Sequence, residues 1–121
     1  MPLNDFFSFT IKLNKAGHIK ALLNIDRNHR IFNGHFPGNP VTPGVVQVEM
    51  VRQVISSCIQ KDLMLIEAKD LKYITPILPS HTDGIELTID YKKEQTGISA
   101  KCLLSRDDLV FTKIRGTFSE Q

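Results

Sequence analysis

The chain has 121 residues, 41% hydrophobic and 23% charged, which excludes a disordered chain and a string of several domains. It contains no run of about 18 apolar residues to cross a bilayer. Its net charge of +2 is too mild for the basic stripe that nucleic acid requires.

Lys12, Lys15, Lys20, Lys92, Lys93, Lys113 and Arg115 are scattered along the sequence and read as a solvated surface, with a docking patch for an acidic partner as the sharper alternative. Cys58 and Cys102 stand far apart in apolar surroundings without metal-ligand spacing, so two buried free thiols are expected rather than a disulfide. The opening MPLNDFF has no basic region followed by an apolar stretch, which predicts a cytoplasmic protein. Neither repeats nor linkers divide the chain, so residues 1–121 are expected to form one domain.

Phe9, Ile11 and Leu13 alternate with Ser8, Thr10 and Lys12, the pattern of a half-buried strand. Asn14-Lys15-Ala16-Gly17 reads as a hairpin turn, and Ile19, Ala21, Leu23 and Ile25 form the next strand. From residue 27 to 43 the alternation stops. Pro37, Pro40 and Pro43 with Gly34, Gly38 and Gly44 make a loop stiff in places and sharply turned in others.

A helix follows, with Thr42 as N-cap, Pro43 first and Gly44 second, running to about Gln60. Val45, Val48, Val51, Ile55, Cys58 and Ile59 make its broad apolar stripe, widened by Val46, Met50 and Val54. Glu49, Gln53, Ser56 and Gln60 form one narrow polar stripe, so the helix is expected to be mostly buried. The remainder reads as strands: an irregular one over 65–75, a break at Pro76 and Pro79, then alternating runs at 85–92, 98–104 and 109–118. An antiparallel sheet around one helix, an α+β fold, is the economical arrangement.

Three residues around the loop and helix carry candidate chemistry. His35 sits in the stiff loop, whose prolines would hold a general base in place, and it titrates near neutrality. An isolated loop histidine is more often an ordinary hydrogen-bonded residue, the reading that suits His18, His29 and His81. Glu49 lies on the narrow polar stripe of an apolar helix. Desolvation there would raise its pKa and keep it protonated near pH 7, able to protonate a leaving hydroxyl. Gln53, one turn on, would hydrogen-bond Glu49 and orient it. Gly44, without a Cβ, would let a ligand approach backbone N–H groups at the positive end of the helix, as a donor to a thioester oxyanion. The plainer readings are a solvated polar face for Glu49 and a hinge for Gly44.

The segment Gly34–Gln53, GHFPGNPVTPGVVQVEMVRQ, resembles the signature of the bacterial 3-hydroxyacyl-[acyl-carrier-protein] dehydratases, G-H-F-P-G-x-P-x-x-P-G-V with a carboxylate fourteen residues past the histidine. His35 and Glu49 have that separation, and Glu49 and Gln53 match the family's Glu-x-x-x-Gln pairing. Lys72-Tyr73-Ile74-Thr75-Pro76-Ile77-Leu78-Pro79 resembles a later family strand, with Ser80 replacing its glycine.

The resemblance implies a hot-dog fold and dehydration of a (3R)-3-hydroxyacyl thioester to the trans-2-enoyl product. His35 would be the base, Glu49 the acid and Gly44 the donor to the carbonyl, with Gln53, Phe36 and Pro37 in support. It implies neither metal nor organic cofactor, a substrate carried on acyl carrier protein, and a homodimer or higher homo-oligomer with sites between subunits. A heteromer with a related subunit is the variant form. Two departures stand out. The Pro-His-Arg segment that usually precedes the first strand is missing, and Met50 and Arg52 replace small residues beside the acid. They point to a divergent member serving a specialised acyl or polyene pathway, with a reshaped tunnel or subunit contact. A hot-dog thioesterase and a non-catalytic partner subunit are the alternatives.

Overall fold

The computed structural model describes residues 5–34 and 41–120. Six strands form one sheet: β1 (Phe7–Lys15), β2 (His18–Ile25), β3 (Leu63–Tyr73), β4 (Ile85–Glu94), β5 (Gly97–Arg106) and β6 (Leu109–Glu120). Their spatial order is β1-β2-β4-β5-β6-β3, and every neighbouring pair is antiparallel. The β1–β2 hairpin closes at Gly17, whose φ of 82° suits a residue without a Cβ. Alternation puts Ile19, Ala21, Leu23 and Ile25 of β2 and Ile85, Leu87 and Ile89 of β4 on one buried face.

Helix α2 (Gly44–Ile59) lies across that face and buries Val46, Met50, Val51, Val54 and Ile55. The four- and five-residue steps among these side chains give the helix its core-facing stripe. Each fully buried residue of this kind contributes roughly 1.5–3 kcal/mol over its exposed state. The expected α+β fold, one helix held against an antiparallel sheet, is therefore what forms. The core-facing stripe is rotated from the expected one, because Val45 is 68% exposed whereas Met50 is fully buried.

The helix also begins one residue later than expected. Pro43 has ψ of 148°, an extended conformation that keeps it outside the helix. As N-cap its carbonyl accepts from Val46 and Gln47 N–H, and the Thr42 side chain caps nothing. At the other end Gln60 turns left-handed at φ 61° and donates its N–H to the Ser56 carbonyl.

Three irregularities escaped the periodic pattern. A single helical turn, α1 (Ile31–Gly34), buries Phe32 within the expected loop. It is secured by His29, whose ring nitrogen accepts from Ile31 N–H and whose carbonyl accepts from Phe32 N–H. Strand β3 shifts register between Leu65 and Glu67 and again between Ala68 and Asp70, which bends this edge strand. Strand β6 has an irregularity where Leu104 faces Thr112 but Ser105 faces Val110, leaving Phe111 between them. Phe111 is fully buried beside the His81 ring, and its carbonyl receives the N–H groups of Ile74 and Thr75. Cys58 and Cys102 are free, with Cys102 in the core and Cys58 half-buried. No helix among the described residues is long and apolar enough to cross a membrane.

Candidate active site

Helix α2 presents two polar clusters. The first centres on Glu49. Arg52, three residues on, donates from Nε to Glu49 Oε1 at 2.7 Å and from Nη2 to Oε2 at 2.9 Å. Gln53 donates from Nε2 to Oε2 at 2.9 Å. These spacings place all three side chains on adjacent turns of one helical face. Arg52 Nη1 reaches farther, to Asp62 Oδ1 and to the Leu63 carbonyl at the start of β3, each at 3.0 Å. The carboxylate is thus oriented by a forked guanidinium that is itself tied to the edge strand. The expected hydrogen bond from Gln53 to Glu49 is present.

The expected charge state is reversed. Arg52 holds the Glu49 carboxyl below its ordinary value, with Gln53 adding to the effect and partial burial opposing it. With one quarter of its side chain exposed, Glu49 retains water contact as well. Burial beside an apolar helix does disfavour the charge, but two bonds from a cation outweigh it. Glu49 therefore rests ionised near neutrality. The Arg52 guanidinium is raised in turn, first by its bond to Glu49. Met50 is fully buried in the core, while Arg52 accounts for the reversed charge preference.

The second cluster is at the helix start. Gln47 is buried and uses both ends of its amide. Nε2 donates to the Thr42 carbonyl at 3.2 Å, and Oε1 accepts from the Thr112 hydroxyl of β6. Thr42 N–H donates to the Ile77 carbonyl at 2.8 Å. The Thr42 hydroxyl is buried without a hydrogen-bond partner among the described residues. The expected open approach to Gly44 is filled: a Cβ there would overlap Cζ and Oη of Tyr73, the last residue of β3. The absent Cβ therefore accommodates an aromatic ring. Burial raises the Tyr73 phenol above its ordinary pKa.

His35, Phe36 and Pro37 lie outside the described residues. Of the other expected site residues, Glu49 and Gln53 come together, and Gly44 is five residues earlier on the same helix. The remaining histidines make local contacts: His18 with Asp90, His29 with Asp5, and His81 with Leu78 N–H. Sequence reasoning missed the Arg52 clamp, although its three-residue spacing from Glu49 was a usable signal. It also missed Gln47 and Tyr73 as parts of the helix start, for which no local spacing gave a sign.

The ApeI-like family, described as ApeI dehydratase, matches residues 12–112. A 3-hydroxyacyl-[acyl-carrier-protein] dehydratase FabZ of Haemophilus influenzae (strain PittEE) is 34% identical over 90 residues, covering 68% of this chain and 60% of that protein. The FabZ of Wolbachia pipientis subsp. Culex pipiens (strain wPip) is 32% identical over 103 residues, covering 78% of this chain and 71% of its own length. The matched part of the chain spans about 60% of the length of the first of these relatives. Among solved structures, the dehydratase heterocomplex ApeI:P from Xenorhabdus doucetiae superposes with a TM-score of 0.70 at 18% identity, over 92% of this chain and 95% of that one, a likeness of fold. The expected hot-dog architecture is thereby met, and the chain belongs to the ApeI-like dehydratase family as a divergent relative of FabZ.

Proposed function

We propose that the chain dehydrates a (3R)-3-hydroxyacyl thioester, delivered on acyl carrier protein, to the trans-2-enoyl thioester. The observation that carries this reading is the fixed carboxylate of Glu49, held by Arg52 and Gln53 at the position the family motif demands. His35 takes the C2 proton. The C2–H electrons form the C2–C3 double bond, and the C3–O bond breaks. Since Glu49 rests ionised, the proton on the leaving hydroxyl is the one His35 removed from C2. Glu49 orients that hydroxyl or a water beside it. Phe36 and Pro37, which follow His35 in the motif, are supporting residues in this reading, and the N–H at Gly44 polarises the thioester carbonyl. Neither metal nor organic cofactor takes part, and the setting is cytoplasmic acyl synthesis.

Two copies complete the site in this reading. Gly44 and Glu49, five residues apart, point about 140° away from each other around an α-helix. In this reading one helix supplies its start to one site and its carboxylate to another. Strand β3 supports the pairing, because it is an edge strand that exposes Ile66 and Leu71. A second copy, or a related subunit as in the Xenorhabdus heterocomplex, would cover them.

The ionised Glu49 also favours a second reading, thioester hydrolysis, in which the carboxylate activates water against the carbonyl. Mass-spectrometric turnover of 3-hydroxyacyl-carrier-protein substrates of graded chain length separates the two. Loss of one water, abolished in His35→Ala, supports the dehydratase. Release of free acid supports hydrolysis. Turnover that requires an added related subunit supports a heteromer.

A further inference from the structure

Tyr73 stands over the start of α2 with only its ring accounted for by packing. The Cα–Cβ bonds of a helix tilt toward its N-terminus. The place left by the missing Cβ of Gly44 is therefore at the open end, beside N–H groups that precede the first intrahelical bond. Tyr73 Oη and Cζ occupy that place. The residue is nevertheless 51% exposed. The phenol donates to no group among the described residues. Burial keeps it protonated, and so a donor, across the neutral range.

A second polar side chain, two residues before Gly44, lacks a partner among the described residues. The Thr42 hydroxyl, in a residue only 3% exposed, makes no hydrogen bond among the described residues. Buried hydroxyls are rarely left in that state. The surrounding framework is fixed by the Gln47–Thr112 bond to β6 and by Thr42 N–H on the Ile77 carbonyl. Tyr73 shares that framework, since it lies opposite Thr112 in the β3–β6 register. The phenol of a half-exposed tyrosine thus lies against Gly44 at the start of the helix, a position that suits an acceptor oxygen that gains negative charge.

We propose that the Tyr73 hydroxyl is a second hydrogen-bond donor to the thioester carbonyl of the substrate, acting with the N–H groups at the start of α2. This inference rests on the thioester chemistry proposed above. Gly44 is then required to admit the Tyr73 ring. The interaction strengthens as the carbonyl becomes enolate-like, so it acts on turnover more than on binding.

The chain has no tryptophan and two tyrosines, Tyr73 and Tyr91, so a Tyr91→Phe protein reports Tyr73 emission alone. Tyr91 lies on β4, away from the helix start. The probe is the crotonyl thioester of N-acetylcysteamine, and turnover is followed with the 3-hydroxybutyryl thioester of the same carrier. Saturable change of Tyr73 emission is expected. Tyr73→Phe is expected to lower kcat by about 10- to 100-fold with KM within about twofold, in the range of a lost oxyanion donor or somewhat below it. An unchanged kcat in Tyr73→Phe overturns the proposal, as does an absent emission change up to the solubility limit of the thioester. If Tyr91→Phe responds in emission but wild type forms no enoyl product, the dehydratase reading falls and the contact of Tyr73 with a thioester stands.

Discussion

The two polar clusters of α2 are built by opposite means. The Glu49 cluster is local: Arg52 and Gln53 are three and four residues away, and their contacts follow from helical geometry once the helix forms. The cluster at the helix start is assembled from distant segments, Thr42, Gln47, Tyr73 and Thr112, which only the packed sheet brings together. The first is half-exposed and charged, whereas the second is largely buried and neutral. Charge can therefore be altered at Glu49 with little effect on the fold, while the helix start should resist change because Thr42, Gln47 and Thr112 are buried and their polar atoms have no water to turn to.

The largest effect expected from breaking this contrast is on catalysis at the local cluster. Glu49→Gln keeps shape and one acceptor oxygen but removes the charge. Its enoyl production should fall by about 10²- to 10⁴-fold, the span of a positioned acid or base. Its far-ultraviolet circular dichroism and thermal midpoint should stay close to wild type. Near-normal turnover would remove Glu49 from the site.

Stability should report the contrast in the opposite sense. Gln47→Ala strands the Thr112 hydroxyl in the core and should cost about 1–3 kcal/mol in urea unfolding. Gln53→Ala removes one bond from a carboxylate that keeps Arg52 and water, and should cost no more than about 1 kcal/mol. Equal costs would mean that the two clusters are not separately built.

The smallest effect is on acid stability. The Glu49 pKa is depressed in the folded chain, so its contribution is full above the ordinary carboxylate range and is lost as pH falls through the lowered value. Wild type should lose this increment below about pH 4.5. Arg52→Met should flatten that part of the profile, by less than about 1 kcal/mol because the pair is partly exposed. Thermal midpoints between pH 3 and 7 measure it, and identical slopes would show that Arg52 does not control the carboxyl.

What the sequence made legible divides along the same line. The strands of the β1–β2 hairpin, the turn at Gly17 and the course of α2 follow from periods of two and 3.6, which residues a few places apart encode. The Gln53–Glu49 bond was legible for that reason. The charge of Glu49 was misjudged because burial was weighed without the cation three residues ahead. The helix phase was misjudged because valines surround the helix, and only the position of the sheet decides that Val46 is buried and Val45 exposed. Tyr73 over Gly44 depends on a strand pairing 29 positions downstream, about which composition and spacing are silent. His35, the residue on which the motif resemblance leans most, lies outside the described residues.

The two register shifts of β3 carry a further consequence. An even, flat edge strand offers its backbone donors and acceptors at regular intervals to any extended chain, which makes it a seed for indiscriminate sheet growth. In β3 the breaks at Leu65/Glu67 and Ala68/Asp70 interrupt that spacing twice within eleven residues. Such breaks are among the devices that make an edge strand a poorer template for unintended pairing.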